Sequence, residues 1–199
     1  MMTQALNILN DRDIIPILRV AIFHYLFAYI HPFYDGNGRM TRFISSYFLT
    51  RNLHYLTGFR LSYTIKENIN NYYGSFKLTN DPKNKGDLTP FVINFFKIIS
   101  TLIQDLYESL RKREEQLNFY IGCIKKYAFE GTPESGVLKI LIINTLFGDN
   151  GLSINDLIEI TSSSSSKIRA IIKTLRNKDI LIIKKNNHKY VYDVDLKKI

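Results

Sequence analysis

The sequence predicts a mainly α protein: an all-helical core over residues 1–130, then a small α+β domain over 137–199, joined by a linker at 131–136. Three observations carry this reading. Nothing in 1–130 alternates apolar and polar residues with period two, while several stretches repeat apolar residues at helical spacing. The linker candidate, Gly131-Thr-Pro-Glu-Ser-Gly136, gathers helix breakers and small polar residues. Beyond it, short helical patterns give way to two short β-type runs.

Residues 1–12 are polar and carry no clear element. From Ile14 to Ile30 apolar residues dominate, with Pro16 suited to a first helical turn. Pro32 ends this helix and places His31 at its junction with a loop. Met40, Phe43, Ile44, Tyr47 and Phe48 mark one face of a second helix. Leu61–Tyr73 reads as a third, and Asn80–Asp87 as a turn. Pro90 opens a further helix that turns amphipathic; the charged run after it either continues the helix or follows a break. Val137–Phe147 is an apolar helix, and Ser153 with Asp156 makes a helix N-cap. Lys167–Asn177 is amphipathic. Ile180–Ile183 and Tyr190–Val194 read as strands, joined as a hairpin through Lys184–Lys189 with Asn186-Asn187 inside. Three helices and a hairpin in this span suggest a winged helix-turn-helix.

The chain has 199 residues, an ordinary apolar content and a formal charge of +9, which excludes a disordered or strongly acidic protein. Residues 137–199 hold 11 basic and 6 acidic side chains, the denser share, and favour an anionic partner. Cys123 is the single cysteine, so an internal disulfide is excluded and a reducing compartment fits. No run reaches the roughly 18 apolar residues of a membrane helix, and the N-terminus lacks a signal-peptide pattern. A cytoplasmic protein is expected.

The chemistry concentrates in His31–Arg42, HPFYDGNGRMTR. A polar loop opening onto a helix N-terminus suits phosphate binding. Gly36, Asn37 and Gly38 offer backbone N–H groups in an anion hole. Arg39 and Arg42, three apart, are neighbours on the first helical turn and can fork onto phosphate oxygens. Asp35 is a hard oxygen ligand suited to Mg²⁺. His31 can take a proton from an attacking hydroxyl. Phe33 has no polar role and is expected to anchor the loop in the core. These are the parts of a phosphoryl- or nucleotidyl-transfer site.

The stretch meets all nine specified positions of the pattern HPFx(D/E)GNGRxxR, and over residues from about 14 to 105 the chain resembles the Fic family. The resemblance implies that the loop lies between two central helices of an all-α core. It implies transfer of AMP from ATP to a Ser, Thr or Tyr hydroxyl of a target protein, or of the chain itself. His31 would be the general base and Asp35 would hold Mg²⁺ against the phosphates. Gly36, Asn37 and Gly38 would form the anion hole, and Arg39 and Arg42 would hold the distal phosphates. In NYYGSFKLTN, Tyr73 and Asn80 would line the nucleoside pocket; a core aromatic and a turn asparagine explain them equally well. Gly38, in place of a lysine, points toward AMP rather than phosphoryl transfer.

Two family features are missing. Members carry helices and a β-hairpin flap upstream of the loop, and the short stretch before His31 suggests a truncated chain. Members are also inhibited through a helix with (S/T)xxxE(G/N), whose Glu would pair with Arg42. Lys126–Gly131 has the Glu130-Gly131 pair but lysine at the Ser/Thr position, so the inhibitory helix is expected either on missing N-terminal residues or on a separate protein partner.

In the C-terminal module Ser164, Ser165, Lys167, Arg169 and Lys173 would begin a recognition helix, with Lys184, Lys185 and Lys189 on the wing. Duplex DNA is one expected partner; a protein, or a second copy in a homodimer, is the other. The alternative to an enzyme is a DNA-binding regulatory or scaffold protein whose core senses nucleotide or is vestigial.

Overall fold

The computed structural model describes residues 1–186 and 189–199. It is mainly α, with nine α-helices and three short strands among the described residues. Met1–Ser109 form one compact unit and Leu110–Ile199 a second.

The first unit begins with α1 (Met2–Asn10), where no element is expected. Ala5 and Leu9, four apart, give one buried stripe, and this suffices to seat the turn against its neighbour. α2 (Pro16–Ile30) starts with Pro16 in its first turn, as the missing N–H allows. It is apolar nearly all round and buries Val20, Ala21, Phe23, His24, Tyr25 and Phe27. His31 caps it in the left-handed region, at φ 52° and ψ 57°.

α3 (Asn37–Asn52) buries Asn37, Thr41, Ser45 and Leu49, spaced by four. This corrects the apolar face expected from Met40, Phe43 and Tyr47. Ile44 and Phe48 do pack on the core, but Phe43 is 70% exposed. Small polar side chains let helices approach closely, and their hydroxyls find partners: Thr41 Oγ1 donates to the Asn37 carbonyl at 2.7 Å.

The single helix expected over Leu61–Tyr73 is two, α4 (Tyr55–Glu67) and α5 (Ile69–Thr79). Asn68 divides them. Its side chain donates to the Thr64 carbonyl, and its own carbonyl accepts from the Tyr72 N–H. Gly58 lets α4 lie against α3: a Cβ there would stand 2.7 Å from the Ser46 carbonyl oxygen. A 3₁₀ turn at Pro82–Asn84 leads to α6 (Thr89–Cys123), which passes through the charged run without a break. Phe91, Phe95, Ile98, Ile99 and Leu102 of α6 complete the first core.

In the second unit, α7 (Pro133–Phe147) takes up the last four residues of the expected linker. Pro133 reads as a breaker but sits in the first turn, where proline is tolerated, and Thr132 caps the helix through the Ser135 N–H. Ile124 and Ala128 share a core with Leu138 and Leu141, so residues 131–136 lie inside this unit.

β1 (Leu152–Ser153), α8 (Ile154–Thr161) and α9 (Ser165–Asn177) follow. Ser153 and Asp156 form a reciprocal capping box. β2 (Leu181–Asn186) and β3 (Lys189–Val194) pair antiparallel, and β3 also pairs with β1, giving the order β1-β3-β2. Asn187, placed inside the expected hairpin connection, lies outside the described residues.

Candidate active site

The loop 31–36 hangs between the end of α2 and the start of α3. Its shape is held by Asn37. The Asn37 side chain accepts the Phe33 N–H at 2.9 Å and donates to the Phe33 carbonyl at 2.6 Å. Phe33 itself is 49% exposed and only edges toward Phe27, which corrects its expected role as the anchor. The reason is that Asn37 fixes the Phe33 backbone, so the ring need not be sunk in the core.

Gly36 has φ 82°, a conformation that costs glycine little, and it starts α3. No side chain caps this helix, so the leading N–H groups at Asn37 and beyond face no side-chain acceptor. The Gly36 N–H instead donates to Asp35 Oδ1 at 2.6 Å. Arg39 Nη2 pairs with Asp35 Oδ2 at 3.2 Å, an exposed contact. The two arginines fold over the two glycines. Arg42 Nη1 lies 3.4 Å from where a Gly38 Cβ would stand, and Arg39 Nη2 lies 3.6 Å from the same point on Gly36. Arg42 has no acidic partner among the described residues. The site is therefore a helix N-terminus, two guanidinium groups, one carboxylate and an exposed imidazole at His31, with anion-binding donors in excess.

No group of three His, Cys, Asp or Glu side chains that could hold a metal occurs among the described residues. A lone exposed Asp35 fits Mg²⁺ only as one ligand, with phosphate oxygens and water supplying the others, which is the usual Mg²⁺ arrangement beside nucleotides. A groove of about 490 Å³ runs beside the arginines, walled by Arg39, Arg42, Phe43, Tyr47, Gly58 and Phe59 among others. Neither Tyr73 nor Asn80 belongs to its walls. Asn80 Oδ1 accepts the Tyr25 hydroxyl at 2.5 Å, and Tyr25 stacks on Tyr29 near the end of α2. Tyr73 is exposed and packs edge-on against Tyr72.

His24 was not marked by any sequence pattern. It is fully buried beneath the site, with Nδ1 2.8 Å from Ser45 Oγ and Nε2 2.9 Å from Tyr72 Oη. Burial, then the charge of Arg42, pushes its pKa down to about 3, so the ring is neutral. Burial likewise raises the Tyr72 phenol, while Arg42 opposes that shift. The signal available in the sequence was a histidine within an otherwise apolar helix, which by itself reads as core.

The loop sequence and this geometry point the same way as comparison with known proteins. Residues 1–49 match the model of the Fic/DOC family. That span covers α1, α2, the loop and most of α3. The protein adenylyltransferase Fic of Drosophila yakuba is 34% identical over 102 residues, which are 51% of this chain and 19% of that protein. The protein of the same description from Drosophila grimshawi is 33% identical over an equal span. The chain thus spans about a fifth of the length of these relatives. A solved Fic family protein from Desulfovibrio desulfuricans G20 aligns with 97% of this chain and 53% of its own, at 20% identity and a TM-score of 0.49. The Fic-type segment and the anion-binding loop coincide in sequence.

Proposed function

We propose that this chain is a Fic-type protein adenylyltransferase, transferring AMP from ATP to a hydroxyl side chain of a target protein or of itself. The observation that carries the reading is the loop held by Asn37, with an uncapped helix N-terminus and two arginines on one side and His31 on the other. The N–H groups at the start of α3 bind phosphate oxygens along the helix axis. Arg39 and Arg42 hold the distal phosphates and stabilise the charge that builds on departing pyrophosphate. His31 takes the proton of the hydroxyl as its oxygen bonds to the α-phosphorus, and the bond from that phosphorus to pyrophosphate breaks. Mg²⁺, when bound through Asp35, would neutralise part of the phosphate charge. Tyr73 and Asn80 lie outside the groove beside the arginines, and their place at the nucleoside rests on the family resemblance of their segment. The lack of an acidic partner for Arg42 among the described residues, and the adjoining groove, support inhibition by a separate partner that brings an acidic residue to that arginine.

The test is incubation with α-labelled ATP, comparing wild type with His31→Ala. Label on protein that requires His31 is expected. Absence of any such label, on the chain or on added proteins, would favour a nucleotide-sensing or vestigial core.

For the second unit we infer a winged helix-turn-helix that contacts duplex DNA. The supporting observation is α9, which buries Ile168, Ile171, Ile172 and Leu175 and leaves Lys167, Arg169 and Lys173 exposed. Lys184, Lys185 and Lys189 add charge on β2 and β3. A salt-dependent mobility shift of duplex DNA is expected; no shift at low salt would leave a protein partner as the reading.

A further inference from the structure

We propose that the exposed face of α6 from Ile93 to Tyr107 pairs antiparallel with the same face of a second copy of this chain, forming a short coiled-coil seam. The opposite face of α6 is spent on the first core, through Phe91, Phe95, Ile98 and Leu102. The free face carries Ile93, Ser100, Ile103 and Tyr107, with the half-buried Phe96, which also packs on the first core, completing a stripe at alternating spacings of three and four. That is the repeat by which one helix packs knobs into the holes of another. A single helix on a globular core has no use for it, since a solvent face is usually polar. Ile93 is 50% exposed and Tyr107 63%. Phe96, Ser100, Ile103 and Tyr107 also wall an open, largely apolar groove of about 520 Å³, together with Ile15 and Ile17 at the start of α2.

The charges flanking the stripe select both the occupant and its direction. Lys97 lies on one side of it, and Gln104 and Glu108 lie further along that same side, with Gln104 Nε2 donating to Glu108 Oε1 at 3.2 Å. In an antiparallel pair of identical helices these sides meet. Lys97 of each copy then runs alongside Gln104 and Glu108 of the other, and the two-fold axis makes the contact twice. In a parallel pair the side brought against Lys97 would be that of Val92 and Ile99, which pack on their own core and offer no opposite charge. An unrelated amphipathic helix would need this arrangement by coincidence; a second copy has it already. The proposal is independent of the transferase reading.

Sedimentation velocity of the whole chain over a range of concentrations tests it. A concentration-dependent dimer is expected. Lys97→Glu alone and Glu108→Lys alone should each weaken it by about tenfold, and the double exchange should restore it. Ile103→Glu, at an exposed position, should leave the helical circular dichroism intact and give a monomer. A monomer at every concentration, a double exchange that fails to restore association, or a dimer unaffected by Ile103→Glu would overturn the proposal; the first of these would leave the face to a different protein.

Discussion

Asn37 grips the Phe33 backbone from both sides, accepting its N–H and donating to its carbonyl. One buried side chain thereby joins the first turn of α3 to a loop that otherwise makes few contacts. Asn37→Ala should keep the helices and lose the loop geometry. We expect His31-dependent labelling to fall by on the order of 100-fold, the size of effect that misplacing reacting groups produces. Asn37→Asp keeps the acceptor and loses the donor, and should fall between. Rates of label incorporation, with circular dichroism as the folding control, check both.

His24 makes stability depend on pH. Its pKa in the folded chain is about 3, against an ordinary 6.5. Above pH 6.5 neither state binds the proton. Between about 6.5 and 3 the unfolded chain takes it up and the folded chain does not, so stability falls as pH falls, by about 1.4 kcal/mol per unit at most. Urea titrations from pH 7 to pH 4 should show this slope. His24→Gln, which cannot titrate, should be less stable at pH 7 and show a shallower slope.

Gly58 should not accept a side chain. A Cβ would overlap Thr50 Oγ1, which can rotate away, and would stand 2.7 Å from the Ser46 carbonyl, which cannot. Gly58→Ala should force α4 away from α3 at a cost of about 1–3 kcal/mol. Thermal unfolding of the two forms measures it, and an unchanged midpoint would contradict the close approach.

The sequence was most readable where a single local rule decides the outcome. Pro16 opening α2, His31 at the junction before Pro32, and the Ser153–Asp156 cap all follow from the chemistry of one or two residues. The loop was readable because its nine positions are contiguous. What escaped depends on contacts across the fold. The buried face of α3 sets Asn37, Thr41 and Ser45 beside Leu49, and the burial of the three polar residues makes sense only once their partners are present. The break at Asn68 depends on a side chain competing with the helix ladder, which apolar periodicity does not register. His24 became legible only when Ser45 and Tyr72 came from distant helices to meet it. Phe43 and Phe33 differ in the opposite way: as apolar residues they read as interior, but beside the candidate site they remain at the surface.

The left-handed backbone at His31 sets folding against chemistry at one position. A residue with a Cβ gives up about 1 kcal/mol there, and glycine or asparagine would take the same turn more comfortably. His31→Gly should therefore melt at a higher temperature than the wild type while lacking an imidazole. On the proposed reading, the imidazole that takes the proton of the target hydroxyl is therefore carried by a backbone conformation that glycine would adopt with less strain.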